Sequence, residues 1–395
     1  MSELLKTNEI PSIYGTLRVE EKIIQRIWAE QNFIDSELRT ECGLPLKILS
    51  PGKWNLSEEG PDFKNASLMI NGTKKHGDIE IHFNTKEWYD HGHHLDPNYN
   101  RVVLHITLFP SKPNEKKCRN KLGSQIAQFV LLPILKESIE EIIEGYAFES
   151  LVNSESNIFQ NFQSSRILSE IRRDHVHFAK QRWLAKRKFA QNRLKKQSIE
   201  EAFHEIFMEV LGYKRNKVQM SNLAKIFLPS FWKEENGQVD EIYNRINYWK
   251  IRGLRPANHP KQRIKQYLQL WKSSPDWIDK LLALEIPDQK IIEHSTRKSL
   301  GLPSLNKKWK SALNNTIGGT RVNTLWVDAC LPLLSEINNK DYFTTWYYWY
   351  PGDMPQLLKN LAQKAAVSGH EKKNPYSNGS LQGIFGYCIK NNFLE

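Results

Sequence analysis

The chain has 395 residues, 39% of them hydrophobic and 25% charged, with 12 Trp, 14 Tyr, 17 Phe and a formal net charge of +12. That length exceeds one ordinary domain, and that apolar content can offset chain entropy, so global disorder is excluded and two domains are expected. The basic balance favours a polyanionic partner, because Lys and Arg that neutralise phosphates gain from counterion release.

In chain order, RVEEKIIQRIWAEQNF (18–33) places Ile23, Ile24, Ile27 and Trp28 on one face, which predicts a first helix. LPLKILSPG then reads as a short strand and turn, KNASLMING as a strand ending in an Asn-Gly turn, GDIEIHF as a further strand and RVVLHITLF as a long buried one. GSQIAQFVLLPILKESIEEIIEGYAF is expected to be helical, with a kink or break at Pro133. The polar stretch SLVNSESN sets the expected boundary, giving a mixed α/β domain over 1–152 and a basic, mostly α-helical domain over 153–395. In the second domain RILSEIRRDHVHFAKQRWLAKRKFAQNRLKK (166–196) is one long basic helix candidate, with Ile167, Ile171, Phe178 and Leu184 near its apolar side. Further helices fit EAFHEIFMEVLG, SNLAKIFLPSFW, VDEIYNRINYWK, RIKQYLQLWK, TLWVDACLPLL and MPQLLKNLAQKAA.

No run approaches the roughly 20 apolar residues of a membrane span. The start MSELLKTNEIPS has neither a basic end nor an apolar h-region, so a cytoplasmic protein without membrane attachment is expected. The four cysteines, Cys42, Cys118, Cys330 and Cys388, are scattered, which argues against a disulfide framework and a cysteine zinc site.

The residues able to do chemistry gather between Gly60 and His105, in GPDF, GDIEIH, WYDHGHHLD and VVLH. Glu80 and His82 are two apart on a strand and share a face, which Asp78 joins, while Ile79 and Ile81 point to the other. Carboxylates and an imidazole against apolar neighbours are costly unless hydrated, paired or metal-bound. Asp62 sits just before the strand that pairs with this one, so its carboxylate can converge with that of Glu80 on one ion. His91 and His93 are candidate ligands from a loop, and Asp96 is either a ligand, a partner that orients an imidazole, or the cap of the helical turn holding Pro97. His105, inside an apolar strand, is a further metal candidate or a core histidine. Oxygen-rich sites suit Mg²⁺ or Mn²⁺, the first expectation, and added imidazoles bring in Zn²⁺. No G-x-S-x-G elbow, Walker A loop or H-E-x-x-H helix is present.

Pro61-Asp62 followed by Glu80-Ile81-His82, within an order of helix, three strands, strand and helix, resembles the PD-(D/E)XK nuclease superfamily, whose core is a mixed sheet flanked by helices. The resemblance implies that Asp62 and Glu80 hold a metal and that His82 stands where the superfamily has a lysine, making Asp62, Glu80 and His82 the catalytic set. An unperturbed His is mostly neutral at pH 7, so His82 supplies no fixed positive charge there. The fuller pattern W-x-x-H-x-H-x-x-D-x-x-Y then V-x-L-H, with LGYKRN and LRPANHP further on, also resembles an uncharacterised bacterial domain family of unknown function.

The expected function is a metal-dependent nuclease acting on DNA or RNA, the basic second domain holding the substrate through Arg182, Lys186, Arg193, Lys214, Arg255, Lys261 and Arg263. One alternative is a nuclease-like fold that has lost catalysis and serves as a nucleic-acid-binding or assembly module. Another is a metal-dependent hydrolase of some other substrate. The aromatic run TTWYYWYPG reads as packing rather than as a stacking platform for bases.

Overall fold

The computed structural model describes residues 7–391 apart from 13–14, 35–36, 57–58, 113, 136–138, 140–141, 148–163, 213–215, 235–237, 247–248, 252–253, 255, 289–294, 369–371 and 373. The chain divides into two compact units, Met1–Tyr146 and Ala147–Glu395. The boundary expected between residues 152 and 153 lies outside the described residues.

The first unit begins with an antiparallel pair, β1 (Thr7–Ser12) and β2 (Gly15–Glu20), followed by α1 (Glu21–Ala29). The apolar stripe of α1 buries Ile24, Ile27 and Trp28, as its helical spacing requires. A six-stranded mixed sheet follows, built from β3 (Leu46–Ser50), β4 (Lys53–Trp54), β5 (Phe63–Ile70), β6 (Thr73–His82), β7 (Val102–Thr107) and β8 (Ala127–Val130). Its order is β3-β5-β6-β7-β8, with β4 beside β5; β3, β5 and β6 run antiparallel, while β6, β7 and β8 are parallel. The 6-residue β7 is buried along nearly its whole length, as a strand inside a parallel run must be. Trp28 stacks on Phe33, and both meet Phe129 of β8 edge-on, which seats α1 against the sheet.

The segment expected to be helical from Gly123 instead supplies β8, then a 3₁₀ turn at Leu132–Ile134, with helix only from later residues. The open edge of β7 explains the difference: Leu104 to Thr107 need partners for their backbone groups, and Ala127 to Val130 supply them.

The second unit contains only helices among the named elements of its described residues. It comprises α3 (Ser165–Leu194), α4 (Ile199–Leu211), α5 (Lys217–Ile226), α6 (Pro229–Lys233), α7 (Val239–Tyr243), α8 (Pro260–Ser273), α9 (Trp277–Leu282), α10 (Leu302–Ala312) and α11 (Gly319–Thr324); the short α2 (Glu87–Asp90) belongs to the first unit. A π-helical stretch at Leu325–Cys330 leads into α12 (Leu331–Ile337), then α13 (Phe343–Tyr348), α14 (Gln356–Lys364) and α15 (Asn378–Lys390). Trp346, Tyr347, Tyr348 and Trp349 are buried in its core, so the aromatic run packs. No helix among the described residues is long and apolar enough to cross a membrane.

Candidate metal centre

Two strands and one loop bring the chemistry together. Gly77 lets β6 approach β7 closely, since a Cβ there would stand 2.3 Å from the Arg101 carbonyl oxygen. Just beyond it, β6 pairs with β5 and β7 across register shifts, between Phe63 and Ala66 on one side and between Asp78 and Ile79 on the other. Bulges of this kind re-aim side chains next to sites. The bulge takes up Asp78, whose carboxylate accepts from the Asn65 amide at 2.9 Å and lies 3.9 Å from Arg101 Nε. Asp78 therefore serves the backbone, and two-residue spacing alone does not carry it into the site.

Glu80 and His82 continue along β6, 3% and 0% exposed. The Asp62 amide donates to Glu80 Oε2 at 3.1 Å, and the Ile81 amide donates to Asp62 Oδ2 at 2.9 Å, so each carboxylate is held by a backbone amide of the other's segment. Gln25 of α1 donates to Asp62 Oδ1 at 2.7 Å and accepts from Trp54 at 3.2 Å. The other Glu80 oxygen, Oε1, lies 3.4 Å from His82 Nε2 and 3.2 Å from His93 Nε2. His91 Nδ1 is 3.0 Å from His82 Nε2. One ligand atom from each of His82, His91 and His93 falls within 4.8 Å of the other two. A tetrahedral ion bound at about 2.0–2.1 Å has ligand atoms about 3.3 Å apart, and the Glu80–His82, Glu80–His93 and His82–His91 separations of 3.4, 3.2 and 3.0 Å are close to that spacing. His91 is the exposed member, giving the cluster its opening to solvent.

His105 stands behind the cluster rather than in it. Its Nε2 is 2.8 Å from His82 Nδ1 and its Nδ1 is 3.3 Å from Cys118 Sγ, so both ring nitrogens are engaged. Burial first, then the nearby His93, pushes its pKa down to about 3, so the ring is neutral. In the tautomer where His82 Nδ1 donates to His105 Nε2, and His105 Nδ1 donates to Cys118, the His82 Nε2 lone pair faces Glu80 and His91. This is how a second histidine fixes the orientation of a ligand. Of the two roles expected for His105, ligand or core histidine, its contacts support the buried one behind His82. Asp96 is likewise placed elsewhere: its Oδ1 accepts from Asn98 at 2.9 Å and caps the 3₁₀ turn Pro97–Tyr99.

Trp88 and Tyr99 wall the site. Tyr99 stacks on His93 with ring centroids 3.8 Å apart, and Trp88 packs against His93 and His105 at 5.4 Å each. Burial, then the charges of Glu80, Asp62, Asp96 and Glu21, raises the Tyr99 phenol well above its ordinary value. Glu21 is 7% exposed and lies one turn before Gln25 on α1, so this wall faces several carboxylates. Gln25 and Glu21 escaped the sequence reading although their four-residue spacing places both on one helix face. Trp88 and Tyr99 were visible as the ends of the W-x-x-H-x-H-x-x-D-x-x-Y pattern.

Residues 21–244, more than half of the chain, match the family described as Protein of unknown function (DUF2851). The chain belongs to the DUF2851 family. The match begins at α1 and spans every residue of the cluster, so the candidate centre lies inside the matched region. No curated protein and no solved structure matches the chain.

Most of the described phosphate-binding candidates in this DUF2851 protein are internally engaged. Arg182 is 3% exposed, donates to Gln382 at 2.6 Å and lies over the Phe385 ring. Lys186 pairs with Asp328 at 2.8 Å, Arg193 with Glu205 and Glu209 at 2.8 and 2.7 Å, and Lys261 with Asp240 at 2.6 Å. Arg182, Lys186 and Arg193 thus knit α3 to the rest of its unit, while Leu184, expected near the apolar side, is 58% exposed. The helix turns its large Trp183 and small Ala179, Ala185 and Ala190 inward instead, which draws its basic stems into the packing. Arg263 is buried. Lys214 and Arg255 lie outside the described residues.

Proposed function

We propose that this chain is a metal-dependent nuclease that hydrolyses phosphodiester bonds of DNA or RNA, with a divalent ion held by Glu80, His82, His91 and His93. The observation that carries this reading is the convergence of Glu80 Oε1 with the Nε2 atoms of His82 and His93, beside an Asp62 fixed to the same strand. Asp62 entering β5, and Glu80 and His82 closing β6, also fit the resemblance to the PD-(D/E)XK core. The donor set of three imidazoles and one carboxylate suits Zn²⁺ or Mn²⁺ better than Mg²⁺, which prefers oxygen ligands and retained water.

When bound, such an ion supplies Lewis acidity and a water that is more easily deprotonated than bulk water. The protein's own contribution is positioning. Gln25 and the Ile81 amide hold Asp62, the Asp62 amide holds Glu80, and His105 holds His82, so the groups facing the ion need little reorganisation on binding it. His82 in place of a lysine means that charge at this position comes from the ion rather than from a side chain.

A second reading has one specific observation behind it. Glu80 Oε1 and three imidazoles would make four protein donors, the number of a closed structural site, whereas catalytic zinc keeps one position open, which favours a non-catalytic binding or assembly module. The test is cleavage of labelled single- and double-stranded DNA and RNA by chelator-stripped protein resupplied with Zn²⁺, Mn²⁺ or Mg²⁺. The nuclease reading expects metal-dependent cleavage that Glu80→Ala abolishes. Stoichiometric metal binding without any cleavage would replace it with the structural one.

A further inference from the structure

Between β7 and β8 the chain passes through KPNEKKCRNK (112–121), which sets five cations, Lys112, Lys116, Lys117, Arg119 and Lys121, against one carboxylate, Glu115. All five cations are exposed, and none forms an ion pair among the described residues. Glu115 turns instead to the Lys112 amide, which donates to its Oε2 at 2.8 Å. Unlike the charge of α3, the charge of this loop stays outward. The loop is also fixed in place. Tyr89 and Trp88 of α2 donate to the Lys117 and Arg119 carbonyls at 2.6 and 2.9 Å, and Asn120 donates to the Asn100 carbonyl at 3.1 Å. A turn closes its far end, where the Asn120 amide donates to the Ser124 carbonyl and Arg119 Nη1 to the Gly123 carbonyl at 2.7 Å.

Within the loop Cys118 and Asn120 are buried while Lys117, Arg119 and Lys121 are exposed, the alternation of an extended segment. At strand rise, cations two residues apart stand roughly 6.5–7 Å from one another. Successive phosphates of a nucleotide strand are spaced by a similar distance, which favours nucleic acid over a lipid surface as the polyanion. The row starts at the wall of the metal centre: Lys116 Nζ lies 4.7 Å from the Tyr89 ring centroid, and that ring lies 4.8 Å from the ring of His94, the neighbour of His93. Trp88, which holds the Arg119 carbonyl, packs against His93 and His105. We propose that Lys116, Lys117, Arg119 and Lys121 form a track that holds the phosphate backbone of a nucleic-acid strand beside the metal centre. The identity of this partner rests on the nuclease reading above, and the track moves substrate binding from α3 to the loop before β8. Contacts to phosphate alone carry no sequence information, so binding is sequence-independent.

Fluorescence anisotropy of a labelled single-stranded oligonucleotide and of its duplex, titrated with the chelator-stripped full chain across about 50–200 mM KCl, tests this. Wild type should bind both, with affinity that falls steeply with salt. The combined variant Lys116→Gln, Lys117→Gln, Lys121→Gln leaves the hydrogen bonds of the loop in place. It should bind at least about tenfold more weakly near 0.1 M salt, and its slope of log affinity against log salt should be shallower by about 2–3. A control that removes as much charge from exposed lysines of the helical unit, Lys265→Gln, Lys307→Gln, Lys308→Gln, should bind as wild type does. Equal weakening by the control would overturn the track, because affinity would then follow net charge. An unchanged slope in the loop variant, or wild type that binds neither oligonucleotide, would also overturn it. If circular dichroism shows the triple variant unfolded, Lys116→Gln with Lys117→Gln should still flatten the slope by about 1–2, and an unchanged slope counts against the track. Phosphatidylserine vesicles bound through the same lysines, with no nucleic acid bound, would assign the surface to a membrane and contradict it. Neither metal nor turnover enters the readout, so the two readings fail separately. Protein that binds through the loop and never cuts sinks the nuclease reading alone, and protein that cuts with a loop-independent affinity sinks the track alone.

Discussion

His82 has His105 at one ring nitrogen and His91 and Glu80 at the other. A residue so placed can be a ligand and cannot be replaced by a cation. His82→Lys should therefore lose metal affinity, because a protonated amine has no lone pair to offer. If the variant instead keeps both metal binding and turnover, His82 is a stand-in for the superfamily lysine and the ligand set is wrong. His105 acts at one remove, so His105→Phe, which keeps ring volume but neither hydrogen bond, should weaken metal binding by about 10–100-fold with the fold intact by circular dichroism. Much of this cluster was legible at the residue scale, since Glu80, His82, His91 and His93 stand out as repeated ligand types. What was not legible is which of the neighbouring candidates would be diverted. A bulge took Asp78, a helical cap took Asp96, and a cysteine thiol took the far side of His105.

At the scale of elements, strand-like runs bounded by turn residues exposed β3, β5, β6 and β7, and helical spacing exposed α1, α3 and α8. The failures share a cause, because each involves a partner distant in sequence. The run Ala127–Val130 carries an apolar pattern compatible with a helix, and the vacant edge of β7 decides otherwise. NGSLQGIFGYCIK, which is not among the helices expected above, carries three glycines unfavourable to a helix, yet it forms α15, where Gly383 and Gly386 allow close packing on α3. At Gly383 a Cβ would stand 2.0 Å from the His175 carbonyl oxygen, with no room for it. Gly383→Ala should accordingly destabilise the protein by about 1–3 kcal/mol or more in denaturant titration, although alanine is the better helix former. A neutral or stabilising result would mean that the two helices are not packed backbone to backbone at this point.

For the whole molecule, the charge of +12 pointed towards a polyanion, but α3 commits Lys186, Arg187 and Arg193 to internal carboxylates. Net charge reports an excess without saying which cations remain outward. The buried His204, bonded to Tyr267 and the Phe227 carbonyl, links folding to pH. Burial lowers its pKa to about 4 from 6.5, so its neutral form belongs to the folded state. Its contribution is fully present above the unfolded value of 6.5 and is lost as pH falls through 4, an interval equivalent to about 3 kcal/mol. Unfolding midpoints should fall across that window, and His204→Gln should flatten the decline; an unchanged slope would remove His204 as its source. The central claim, a divalent ion held by Glu80, His82, His91 and His93, is tested most directly by calorimetric titration of chelator-stripped protein with Zn²⁺. One equivalent bound by wild type, and none by a His82→Ala, His93→Ala double variant that retains its fold, is the expected result. The account is contradicted if wild type binds no ion, or if the double variant binds as wild type does.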